Sequence, residues 1–314
     1  MSKEHILCLG NIAYDLVQRK GNSEKNFLFA AYPGGSVFNT ALLLSKLGCR
    51  VAVLSKTGND FLGDKLIATM KKHGINVRYV FQENCVKTAL AVADIDSKGN
   101  SSYIFYRPEN TSCPLKKEEI PESVFKQAKI LHTDSAFTYK DGTYEDTMYT
   151  IAKARKHNVF VSYDPNWRNG RIKNTAKARK RIARIIEYTN LLKLSDTDAI
   201  GITGAKTLEA AVKKLPSNTI ITAGLKGAFH VKDKRETFIP AFQIKVADTI
   251  GAGDAFTAGL LHEYARKGEK SLTRDLRQTM LFASAAAALI CAKSGATAGI
   301  KKLAQVKRLA EKYA

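Results

Sequence analysis

"KILHTDSAFTYKDGTYEDTMYTIAKARKHNVFVSYDPN", Lys129 to Asn166, decides the fold. "KILHTDS" and "VFVSYDPN" are short, nearly unbroken apolar runs, the pattern of strands covered on both faces. "TMYTIAKARKHN" between them predicts a helix. Strand, helix, strand is the repeating unit of a parallel sheet.

The same alternation continues in both directions. Towards the amino end, "HILCLGNIAYDL" (5–16) predicts a strand. "VFNTALLLSKLG" (37–48) predicts a helix that starts near Asn39 or Thr40 and stops at Gly48. "VAVLSKTG" then predicts a strand and "DKLIATMKKHG" a helix closed by Gly74. Towards the carboxyl end come a basic helix within 168–188, the strand "LLKLS", a helix across "TLEAAVKKL" and the strand "TIITAG". The result is an α/β fold with a mostly parallel sheet and helices on both faces. Two stretches break the rhythm. Residues 16–34 lack a helical pattern, and "TALAVADIDSKGNSSYIFYR" (88–107) reads as two strands around a Ser-Lys-Gly-Asn turn. Together they predict a small β lid, formed from about 16–34 and 88–108, on a single domain spanning 1–314.

Totals narrow the function. A chain of 314 residues with 45% hydrophobic and 25% charged residues suits one large soluble domain. No apolar run approaches the roughly 18 residues of a membrane span, and no signal peptide is expected. The five cysteines are scattered without a C-x-x-C pair, and the six histidines form no H-x-x-x-H pair, which argues for free thiols in the cytoplasm and against a zinc site. The formal charge of +21 invites anionic partners. Much of it lies on the 168–188 helix, whose Ile182, Ile185 and Ile186 share one face opposite the bases. That is the pattern of a solvated amphipathic helix, and no nucleic-acid motif accompanies it. "GITGAKT" (201–207) lacks the ending of a Walker A loop and is read as a turn.

Five stretches can carry chemistry. In "DTIGAGDAFTAGLL" (248–261), Gly251 and Gly253 let backbone N–H groups converge where a helix begins, an anion hole suited to a phosphoryl group. Asp254 beside it is either a helix N-cap or a base that takes a proton from an attacking hydroxyl. "YPGGSVFNTALLLSKLG" offers the bare backbone of Gly34 and Gly35 and the amide of Asn39. Asp15 ends an apolar run where a sheet faces its ligand. "DPNWR" holds Asp164, Asn166 and Arg168 at a strand end. "TIITAGLKGAFHV" predicts a hairpin whose Thr222, Gly224, Lys226 and Gly227 can lie under a nucleotide.

In this order, G-G-x-x-x-N, D-P-N-x-R, T-x-G-x-x-G and D-T-x-G-A-G-D resemble the ribokinase-like family of carbohydrate kinases, from Gly10 to "SGATAG". The resemblance implies a Rossmann-like α/β fold with a β lid, ATP as phosphoryl donor, Mg²⁺ as helper and, in many members, a monovalent cation such as K⁺. It places Asp254 as the catalytic base and Gly251, Ala252 and Gly253 as the anion hole. Asp15, Gly34, Gly35, Asn39, Arg107, Asp164, Asn166 and Arg168 fall on the sugar side. Lys193, Ser195, Thr222, Gly224, Lys226 and Gly227 fall on the nucleotide side, and Asp248 and Thr249 near the monovalent cation. One departure stands out: where the family has N-x-x-E, this chain has Ser195-Asp196-Thr197-Asp198, so that Asp198 would serve Mg²⁺ through a water. "FYRPEN" and "DPNWR" look most like the fructokinase branch, with 2-keto-3-deoxygluconate kinase and ribokinase as alternatives. A non-catalytic sugar- and nucleotide-binding regulator is the reading of another class. Expected partners are a small sugar and a second copy of the chain through the lid, with no nucleic acid and no membrane.

Overall fold

The computed structural model describes residues 5–18, 28–95, 101–106, 115–134, 141–167, 172, 174–232 and 235–313. Thirteen strands and ten α-helices are described, in the order β1 (His5–Leu9), β2 (Ala13–Gln18), β3 (Phe29–Gly34), α1 (Ser36–Lys46), β4 (Arg50–Gly58), α2 (Phe61–Lys72), β5 (Asn76–Glu83), β6 (Ala89–Ile95), β7 (Ser101–Tyr106), α3 (Glu122–Gln127), β8 (Ala128–Asp134), α4 (Asp141–Lys156), β9 (Phe160–Asp164), α5 (Thr175–Ile186), β10 (Leu191–Ser195), α6 (Asp196–Thr203), α7 (Leu208–Val212), β11 (Thr219–Thr222), β12 (Ala228–Lys232), β13 (Arg235–Ile239), α8 (Ala252–Lys267), α9 (Leu276–Cys291) and α10 (Leu303–Glu311).

The large sheet has nine strands in the order β13-β12-β11-β10-β9-β8-β1-β4-β5. It is parallel from β5 across to β11, and β12 and β13 add an antiparallel edge. Its strands alternate between two cores. Ile6 and Cys8 face one cluster with residues of α1, α2, α8, α9 and α10, while Leu7 and Leu9 face the other with residues of α3, α4, α5, α6 and α7. Burial on both faces is why these strands read as continuous apolar runs. The expected helix-covered, mostly parallel sheet is therefore present.

The small sheet has four strands in the order β3-β2-β6-β7. Here the boundaries differ from expectation. "HILCLGNIAYDL" is not one strand but two, β1 in the large sheet and β2 in the lid. The chain changes sheet at Gly10–Ile12, where Gly10 N donates to Leu54 O. Both halves are apolar, so composition hides the break. The lid accordingly begins at Ala13 rather than 16. Its β6 and β7 pair antiparallel as predicted, while the turn between them and residues 19–27 and 107–108 lie outside the described residues.

Helix starts also move. α1 begins at Ser36, with Gly35 at φ 94° as its cap, so Asn39 lies a full turn inside it. α2 begins at Phe61, where the Asp60 side chain accepts from Leu62 N and Gly63 N. α4 begins at Asp141 rather than Thr147. The helix expected across 207–215 is the short α7.

Candidate active site

The carboxyl ends of β8, β9, β10 and β11 bring Asp134, Asp164, Ser195 and Thr222 to one edge of the sheet. The first turn of α8 comes down onto this edge. Gly251 adopts the left-handed conformation (φ 80°) and caps α8 without a side chain. Only glycine fits there, because a Cβ would collide with the Ala296 carbonyl of the "SGATAG" loop. Asp248 braces the same two loops, accepting from Ile250 N at 2.9 Å and from Gly295 N at 2.9 Å. Ala252 N is bonded to Thr249 O and Ala255 N to Gly251 O. Among the described residues the N–H groups of Gly253 and Asp254 find no acceptor, which leaves two amides and the positive end of α8 open to an anion.

Asp254 does not cap its own helix. Its carboxylate accepts from Ser36 Oγ at 2.8 Å and from Asn39 Nδ2 at 2.8 Å, both on α1. Its carboxylate is thus held from outside its own helix, beside two open amides. Burial pushes its carboxyl above the usual range. The bonds from Asn39 and Ser36 oppose that shift, Asp164 adds to it and Lys193 opposes it.

The residues expected on the sugar side come from the lid, α1 and the end of β9. Asp15 on β2 lies over Gly34, where a Cβ would run into its carboxylate. Gly34 and Gly35 then lead straight into Ser36 of α1. Asp15, Gly34 and Gly35 thus precede the helix whose Ser36 and Asn39 hold Asp254. Arg107 and Arg168 lie outside the described residues. Asp164 is only 4% exposed, and it accepts from Lys193 Nζ at 3.0 Å, Thr257 Oγ1 at 3.5 Å and Asn166 N at 3.2 Å. Asn166 itself sits at positive φ in the turn that follows β9. No local pattern marks Asp164 as the anchor of a buried ammonium.

Lys193 is likewise 4% exposed. Burial alone would lower its pKa, but Asp164, with Asp198 and Asp254, more than reverses this and the net shift is upward. Ser195 and Asp198 form a capping box at the start of α6: Ser195 Oγ accepts from Asp198 N, and Asp198 Oδ2 accepts from Ser195 N. Burial raises the Asp198 carboxyl and Asp164 adds to it, against the Ser195 contacts and Lys193. His132, on β8, donates or accepts at Nδ1 with Ser162 Oγ at 3.3 Å. Burial drives its pKa down to about 4, so it is neutral near pH 7.

A cavity of about 240 Å³ opens beside the anion hole. Thr222, Gly224 and Gly227 of the hairpin line it on one side, and Thr249, Ala252 and Gly253 on the other. Lys226 stands exposed at the tip of the turn. The remaining wall was missed in the sequence: Phe242, Ile244 and Val246 of an irregular segment, and Ser284, Ala288 and Cys291 of α9. Nothing in the sequence marks the small residues of α9 as a cavity wall.

Comparison with known proteins agrees with this geometry. The model of the pfkB family carbohydrate kinase matches residues 3–303. The chain is 29% identical over 289 residues to probable fructokinase-5 of Arabidopsis thaliana, covering 90% of this chain and 89% of that protein. It is 28% identical over 294 residues to fructokinase-1 of Zea mays, covering 90% of each. Among solved structures it resembles fructokinase from Vibrio cholerae O395 in a fructose-, ADP- and calcium-bound form, with TM-score 0.86, 21% identity and coverage of 98% and 99%. Fructokinase with bound ATP from Xylella fastidiosa gives TM-score 0.87 at 24% identity, covering 99% of each chain. Because that family model matches nearly the whole chain, the chain belongs to the pfkB family of carbohydrate kinases.

Proposed function

We propose that this carbohydrate kinase transfers the γ-phosphate of ATP to a primary hydroxyl of fructose, with Asp254 as base. The observation that carries the reading is the placement of Asp254, gripped by Ser36 and Asn39 beside the unoccupied amides of Gly253 and Asp254. The sugar lies between Asp15 of the lid and Asn39, so that its hydroxyl meets the Asp254 carboxylate. The purine sits in the apolar cavity, with its phosphates running along the Gly251–Gly253 turn. As the hydroxyl attacks, Asp254 takes its proton and the α8 amides take up charge on the phosphoryl group. Likeness to plant fructokinases supports fructose as the acceptor.

Mg²⁺ fits the residues present as a companion of the polyphosphate rather than as a protein-caged ion. Among the described residues no three His, Cys, Asp or Glu side chains are arranged to hold a metal. Yet Asp164, Asp198 and Asp254 act together on the single ammonium of Lys193. Asp198 would hold the ion through water, and when bound the ion screens phosphate charge. Asp248 and Thr249 would stand near a K⁺ site, although both oxygens of Asp248 already brace two loops. The proposed setting is the cytoplasm, consistent with free Cys8, Cys49, Cys85 and Cys291. We also assign a homodimer through the lid, whose strand register puts Phe29, Leu90, Val92, Ile104 and Tyr106 on one face.

The test is ADP release with MgATP across fructose, ribose and 2-keto-3-deoxygluconate, in wild type and Asp254→Asn. Fructose is expected to give the highest kcat/KM. The variant should bind ATP normally and lose about 10²–10⁴-fold in kcat. Near-normal turnover in the variant would end the base assignment. Binding of both ligands by the wild type without any turnover would favour a regulatory protein.

A further inference from the structure

Lys193 was expected to meet the nucleotide, but its ammonium is buried 3.0 Å from Asp164 Oδ2, on the floor beneath α8. It lies so close to the first turn of that helix that a Cβ on Gly253 would come within 2.9 Å of Nζ. The neighbouring residue is Asp254. We propose that Lys193 is a positioning residue: locked on Asp164 beneath the anion hole, its ammonium is the fixed positive charge that favours the ionised form of the base. This rests on the reading of Asp254 as base.

The surroundings of Asp254 leave this role to Lys193. From α1 it meets Ser36 and Asn39, which are neutral. From β9 it feels Asp164, which opposes ionisation, and from β10 it feels Lys193, which favours it. Asp198 of α6 acts on Lys193 and Asp164. His132 of β8 is neutral near pH 7, and Asp15 of β2 is a further negative charge on the sugar side. Among the described residues Lys193 is therefore the cation on which three carboxylates, Asp164, Asp198 and Asp254, act. Gly253 also gains a second reason to be glycine. It bares the backbone for the anion and leaves room for the ammonium below.

The sign follows from electrostatics. A nearby cation lowers a carboxyl pKa, so losing it raises the pKa and shifts the loss of activity to higher pH. A nearby anion does the reverse. The test measures kcat/KM for the sugar against pH, with MgATP saturating, in wild type, Lys193→Met, Lys193→Arg and Asp164→Asn. Lys193→Met should move the acid limb up by about one to three pH units with KM for ATP near its wild-type value. Lys193→Arg should restore the limb. Asp164→Asn keeps an oxygen for the ammonium but removes the opposing charge, and should move the limb down. A purely structural role would not give shifts of opposite sign.

A folded Lys193→Met with an unmoved limb overturns the proposal, as does a raised KM for ATP without a limb shift, which would make Lys193 a nucleotide contact. If Lys193→Met does not fold, Asp164→Asn decides alone, and an unmoved limb there overturns it. Asp254→Asn separates the two levels. If that variant is inactive while the limb stays put, only the role of Lys193 fails; if it keeps turnover, the base assignment beneath it fails.

Discussion

Burial pushes the Asp254 carboxyl up, and the bonds from Asn39 and Ser36 only partly counter it. The folded state then holds this proton more tightly than the unfolded chain. Stability attributable to the group is lost as pH rises from the unfolded carboxyl value through the folded one, and it stays lost above both. Asp254→Asn should therefore melt higher than wild type at pH 8, and the difference should vanish in acid. The amide can be accommodated, because Asn39 Oδ1 is buried without a hydrogen-bond partner among the described residues and a flipped Asn39 could receive the new N–H. Thermal melts of both proteins at pH 8 and pH 4 check this; a lower melting point at pH 8 would contradict it. Asp254 was legible in the sequence because small residues and a carboxylate coincide at a helix start. Its grip by α1, more than two hundred residues earlier, was not. No local pattern encodes a side-chain bond over that distance.

At the scale of elements, α8 and α9 pack most closely at Gly259, where a Cβ would lie 2.6 Å from Ala283 Cα. Ala283, Ala285 and Ala286 on α9 are fully buried and offer no longer side chain that could move aside. Gly259→Val should overpack this seam and cost about 1–3 kcal/mol. The urea midpoint should fall at unchanged slope; an unchanged midpoint would show that the helices can part freely. The parallel strands were legible, since burial on both faces leaves them uniformly apolar. The break at Gly10–Ile12 was not legible, because β1 and β2 are both apolar and only the sheet they join differs. The start of α1 was misplaced because its cap is glycine backbone at Gly35, and no Ser, Thr or Asp marks it.

At the scale of the whole molecule, the charge of +21 is borne in part by exposed bases such as those of α5. α5 buries Ala178, Ile182 and Ile185, while Lys177 and Arg181 reach Asp141 and Arg184 reaches Glu187. Exposed pairs of this kind contribute about 0–1 kcal/mol each, so the bases shape the long-range field more than the fold. The lid exposes apolar side chains on one face. Phe29 is 44% exposed, Ile104 63% and Tyr106 59%. If a second copy covers it, Ile104→Lys should sediment as a monomer where wild type sediments as a dimer; a wild-type monomer would remove the dimer. The lid is also moored tightly. Gly35 is the only residue between β3 and the helix that grips Asp254. The chain has no slack at that point. Any displacement of β3 is therefore handed on to Ser36 and Asn39, and through them to the Asp254 carboxylate, so sheet and carboxylate move on one rein.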